Sequence, residues 1–110
     1  MNMELEIDGK RFVIDRVGTK VIPMFELKID DLTIILDEDQ ITQLVEMLRD
    51  PSPCNNPDVI EDDTQYIEVC QEPKYTRLWF WWMNTKDAVL KLDDNERKQL
   101  IEILGKWLRE

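Results

Sequence analysis

The chain of 110 residues is long enough for one folded domain. Its 43% hydrophobic content, with three glycines and five prolines, is that of an ordinary globular protein rather than a disordered or fibrous one. A formal charge of −10 disfavours nucleic-acid phosphates and anionic membranes as partners, and the absence of histidine removes the usual general base and the commonest metal ligand.

In chain order, the first signal is Ile7-Asp8-Gly9-Lys10. Asp-Gly supplies the positive φ that a two-residue hairpin loop needs, so Ile7 should face Lys10, Glu6 face Arg11, Leu5 face Phe12 and Met3 face Ile14. Val17-Gly18-Thr19-Lys20 reads as a turn, and Phe25-Glu26-Leu27-Lys28-Ile29 alternates with the period of a half-buried strand, Pro23 belonging at its start or on an edge. Asp30-Asp31 turns the chain into a strand whose Leu32, Ile34 and Leu36 point one way, which predicts a four-stranded meander. Asp37 with Gln40 forms a capping-box pattern, Ile41, Leu44, Val45 and Leu48 form a helical apolar stripe, and Asp50-Pro51 stops the helix.

Pro51-Ser52-Pro53-Cys54-Asn55-Asn56-Pro57 leads into Glu61-Asp62-Asp63, and the whole of 51–63 reads as a mobile, acidic surface connector. Net charge is −6 over 1–50, −6 over 51–73 and +2 over 74–110, so the acidity lies in the first half and this connector. Tyr66-Ile67-Glu68-Val69-Cys70 resumes strand alternation. Leu78-Trp79-Phe80-Trp81-Trp82-Met83 is apolar on both faces and predicts a central strand buried from two sides. Ala88-Val89-Leu90-Lys91-Leu92 is a further strand, Asp93 with Glu96 repeats the cap, and Leu100, Ile101, Leu104, Trp107 and Leu108 form a second stripe.

The two helix entries echo one another. Leu36, Asp37, Gln43, Leu44, Glu46 and Leu48 recur as Leu92, Asp93, Gln99, Leu100, Glu102 and Leu104. The reading is therefore one α+β domain over 1–110, built from two related antiparallel strands-then-helix units with the helices packed on one sheet face. The first unit, 1–50, has about four strands; the second, 64–110, has three. Strands followed by a helix, used twice with a Leu-Asp helix entry, resembles in layout the Whirly and PUR-repeat single-strand nucleic-acid binders, where helices cover one side of curved sheets. The resemblance covers the order of elements; the chain lacks the basic sheet surface of those proteins, and no binding residue is carried over.

No catalytic signature, metal-ligand spacing or cofactor motif is present, so no catalytic or metal residue, no cofactor and no enzymatic activity are expected. The paired carboxylates are turn and cap residues. Cys54 and Cys70 lack CxxC spacing, Cys70 reads as a small core residue, and a cytoplasmic location is expected; no apolar run is long enough to cross a bilayer. The functional expectation is a non-catalytic acidic binding protein that engages or inhibits a basic protein partner, of the immunity, inhibitor or adaptor type that phages and mobile elements also carry. Its candidate contact residues are Asp30, Asp31, Asp58, Glu61, Asp62 and Asp63. The alternative is a single-stranded nucleic-acid or small-ligand binder using Trp79 and Trp81, with Tyr75 and Arg77, in the tryptophan-rich strand 78–83. Nucleic acid is disfavoured by charge, and a homodimer is the remaining partner class considered.

Overall fold

The computed structural model describes residues 2–83 and 86–109. Strands β1 (Asn2–Ile7), β2 (Lys10–Gly18), β3 (Pro23–Ile29) and β4 (Leu32–Asp37) form an antiparallel meander, followed by helix α1 (Glu38–Arg49). Strands β5 (Asp58–Glu61), β6 (Gln65–Gln71), β7 (Thr76–Trp82) and β8 (Lys86–Leu92) form a second meander, followed by α2 (Asp94–Leu108). The protein is thus α+β, with two four-stranded sheets and two helices. The hairpin register at Asp8-Gly9 is the expected one, with Ile7 opposite Lys10 and Phe12 opposite Leu5, and both loop residues have positive φ, 55° and 72°. Arg11 lies opposite Glu6 but its ion pair is with the diagonal neighbour Glu4, at 2.6 Å.

Both helices begin as expected. Asp37 Oδ1 accepts from the Gln40 amide and Gln40 Oε1 accepts from the Asp37 amide; Asp93 and Glu96 repeat the arrangement. Each box satisfies amides that the first turn leaves without intrahelical partners. The stripes face one shared core: Ile41, Leu44, Val45 and Leu48 from α1, and Leu100, Ile103, Leu104 and Trp107 from α2. Ile103 replaces Ile101 and Leu108 as a buried position, those two being partly buried at the margin. Inward residues of both sheets complete the core, and Phe12 meets Phe80 across it with ring centroids 6.2 Å apart. α1 packs on β3, β4 and β5, α2 packs on β8, and the helices pack on each other.

Three expectations are corrected. The second unit has four strands, not three, because β5 lies inside the stretch expected to be connector. Four residues are too few to show a period, but Ile60 is buried opposite Ile67 and the pairing with β6 supplies the rest. The remaining linker is tethered, since Ser52 O accepts from the Gln71 amide at 2.8 Å and Pro53 bridges to Gln71. Second, Cys54 and Cys70 form a disulfide with Cα atoms 4.8 Å apart, so Cys70 is not a free core thiol. A bonded Cys54–Cys70 pair gives no support to the expected reducing cytoplasm. Third, β7 is buried on one face only: Leu78 and Phe80 point into the core, whereas Trp79 and Trp81 lie half-buried on the solvent side and Trp82 is exposed at the strand end. Among the described residues, no helix is long and apolar enough to cross a membrane.

The disulfide clips the linker to β6 across a sequence separation of 16 residues. Reduction, or Cys54→Ser with Cys70→Ser, is expected to lower unfolding free energy by about 3 kcal/mol while leaving the far-ultraviolet spectrum unchanged, as measured by urea unfolding with and without reductant.

Candidate interaction face on the second sheet

The register of the second sheet places its outward side chains in cross-strand rows. Glu61, Tyr66, Trp81 and Asp87 form one row; Val59, Glu68, Trp79 and Val89 form the next; Arg77 and Lys91 follow beside Cys70. Among the described residues no helix covers this side, and Trp79 and Trp81 are only half-buried. Trp79 and Trp81 stack on each other at 5.1 Å with 25° between their planes, and Tyr66 stands nearly edge-on to both at 6.3 and 6.1 Å. The stack removes apolar area from water without a covering layer.

Polar groups hold the rings in place. Trp79 Nε1 donates to Asp87 Oδ2 at 3.1 Å, and Tyr66 Oη donates to Glu68 Oε1 at 3.1 Å. Glu68, buried despite its charge, also receives Arg77 Nη2 at 3.2 Å, while Arg77 Nη1 lies 3.6 Å from Glu72. Burial pushes the Tyr66 phenol above its ordinary pKa, helped by the hydrogen bond to Glu68 and by the charges of Glu68 and Glu61. Lys91 Nζ lies 5.3 Å from the centre of the Tyr75 ring. Arg77 is thus paired with carboxylates and Lys91 lies over a ring, while Glu61 at the end of the aromatic row makes no ion pair among the described residues.

The β5–β6 turn borders the aromatic row. A depression of about 190 Å³ is lined there by Glu61, Asp63, Tyr66, Trp81 and Met83 among others. Asp62 in the same turn has a structural role. Its Oδ1 accepts from the amides of Thr64 and Gln65 at 2.8 and 2.9 Å, and its Oδ2 accepts from Gln40 Nε2 of α1 at 3.1 Å. The Thr64 amide is the main reason its carboxyl is held down to about 2, with Gln65, Gln40 and the Thr64 hydroxyl contributing. Glu61 and Asp63 are exposed and make no side-chain hydrogen bond or ion pair among the described residues.

The remaining sequence candidates fall elsewhere. Asp58 is on the inward register opposite Val69 and its carboxylate accepts from the Ser52 amide at 3.3 Å, anchoring the linker. Asp30, at φ 52°, and Asp31 form the β3–β4 turn; Asp31 pairs with Lys86 at 3.5 Å, and neither lines the depression. Of the two rival sets expected from the sequence, Glu61 and Asp63 from the acidic one and Trp79 and Trp81 from the aromatic one are brought to the same sheet face. Tyr66, Glu68 and Asp87 complete the face, and strand parity through β5 is the signal that connects them. Cys54 Sγ, Cys70 Sγ and a Glu72 oxygen also lie within 4.8 Å of one another, but the sulfurs are bonded to each other and neither is a thiolate.

Because Asp62 titrates at about 2 in the fold instead of near 3.8, its charge stabilises the fold fully above the ordinary value, and that contribution disappears as pH falls through about 2. Asp62→Asn is therefore expected to be less stable than wild type at neutral pH, with the two urea midpoints converging as the pH is lowered from about 4 to about 2. No protein-family model matches this chain, and no curated protein is significantly similar to it, so the geometry alone carries the functional reading.

Proposed function

We propose that the protein is a non-catalytic binding protein, of the inhibitor, immunity or adaptor type, that engages a basic protein partner with the outer face of its second sheet. The observation that carries this reading is the aromatic row Tyr66-Trp81 ending at Glu61, beside Asp63. Aromatic side chains supply rigid contact area, and a rim of uncompensated carboxylates selects cationic partners and speeds their approach.

The first unit supplies a control for this argument. Aligned on the two helix entries, Phe25 opposite Leu36 corresponds to Thr76 opposite Leu92. Trp79 then occupies the place of Lys28, Arg77 that of Glu26, Tyr66 that of Arg11 and Val59 that of Glu4. In the first sheet those places hold the ion pairs Glu4–Arg11 and Glu26–Lys28. The same outer sheet face is thus compatible with charged residues, and the aromatic set of the second unit calls for a separate reason. Stacking of nucleobases on the tryptophans is opposed by the surrounding Glu61, Glu68 and Asp87 and by the engagement of Arg77.

The immobilised protein is expected to capture a basic protein from host lysate at low ionic strength and to release it at high salt. Val59→Lys, at an exposed position on this face, should weaken capture about tenfold, whereas a single-stranded oligonucleotide should leave tryptophan emission unchanged. Quenching by the oligonucleotide with no salt-sensitive protein captured would reverse the assignment.

A further inference from the structure

We infer that the depression at the β5–β6 turn is a seat for one lysine side chain of the partner, its stem lying against Trp81 and Tyr66 and its ammonium between Glu61 and Asp63. The inference rests on the basic-partner reading above and names the group that is recognised. Three observations converge on it.

The first is the state of the carboxylates. Around the aromatic row, Asp62 is saturated by turn amides and Gln40, Glu68 and Glu72 share Arg77, and Asp87 is held by the Trp79 indole. Glu61 and Asp63 alone among these are without a partner in the described residues. The second is the shape of the walls. Trp79 stacks on Trp81 and does not line the depression, whereas Trp81 and Tyr66 both line it, their rings tilted 75° to each other. Ring faces beside carboxylates attract an alkylammonium through both the ring quadrupole and direct charge. The third is rigidity. Glu61 is the last residue of β5 opposite Tyr66, and the turn after it is pinned by the Asp62 hydrogen bonds, so the seat exists before the ligand arrives.

The arrangement favours lysine over arginine. Two carboxylates from separate positions, one on a strand and one in a turn, suit the diverging donors of a compact ammonium, whereas a guanidinium fork is matched by the two oxygens of a single carboxylate. A lysine stem also covers apolar ring surface while its head stays at the wet rim.

The test uses the intact protein and an extended peptide of alternating lysine and threonine, followed by nuclear magnetic resonance and tryptophan fluorescence at low salt. The lysine peptide is expected to shift the Trp81 indole and Tyr66 ring signals. Acetylation of its lysines should abolish the shifts, arginine in their place should bind more weakly, and Glu61→Gln with Asp63→Asn should raise Kd about tenfold. Both substitutions are at exposed positions, and an unchanged amide spectrum verifies the fold. An unaltered Kd in the double variant, shifts centred on Asp30 and Asp31, or equal binding of the acetylated peptide would overturn the seat while leaving salt-sensitive capture of a basic protein intact. Loss of that capture as well would overturn both readings, and quenching of Trp81 by an oligonucleotide at the same ionic strength would assign the face to nucleic acid instead.

Discussion

The structure depends on how two open meanders close each other's edges. A four-stranded sheet leaves two rows of unpaired backbone groups, and in this chain the second unit caps the outer strand of the first. The Gln65 amide group acts as a one-residue strand: its Oε1 accepts from the Ile35 amide at 2.8 Å and its Nε2 donates to the Ile35 carbonyl at 2.7 Å. The exchange is mutual. Asp8 in the first hairpin accepts from the Lys91 amide on the edge of β8, and Lys10 Nζ donates to Val89 O on the same strand. At the far end, Arg97 of α2 donates to Leu48 O at the C-terminus of α1, satisfying a carbonyl that the helix leaves open.

This closure also builds the site. Gln65 is oriented by the Asp62 turn, and Asp62 is tied to Gln40, whose Oε1 completes the capping box of α1. One carboxylate therefore links the helix start of the first unit to the turn that carries Glu61 and Asp63. The acidic run Glu61-Asp62-Asp63 divides its labour: the middle residue shapes the turn, and the two that flank it are left facing water.

Local chemistry made much of the fold legible in the sequence. Asp8-Gly9, the two capping boxes and the alternations in β3, β4, β6 and β8 each follow from interactions within a few residues, and each element formed where its pattern lies. What escaped has no local pattern to announce it. β5 is too short to show a period and is a strand because Ile60 pairs with Ile67 across a tight turn, whereas the cysteines pair because β6 brings Cys70 to a more distant linker held by Gln71. The tryptophan strand departs from its sequence pattern for a reason of packing. Apolar residues on both faces satisfy the pattern of a sandwiched strand, yet both helices pack on the shared core and no other described element covers the second face.

The contrast between the two units bears on which part of the site is structural and which part is free. Inward positions stay apolar in both sheets: Phe12, Ile14, Leu27 and Ile29 correspond to Ile67, Val69, Leu78 and Phe80, and all eight are buried. Outward positions differ in character at three of four places, where Glu4, Arg11 and Lys28 correspond to Val59, Tyr66 and Trp79, while Glu26 corresponds to another charged residue, Arg77. Packing demands explain the first set, because a change of volume there opens a cavity or forces strain in a core common to both halves. They place no such demand on the second set, where solvent is the neighbour in the first unit and charged pairs suffice. A stacked tryptophan pair on a sheet face that no described helix covers, bordered by carboxylates that no described residue neutralises, is therefore the part of this molecule that its own packing does not account for.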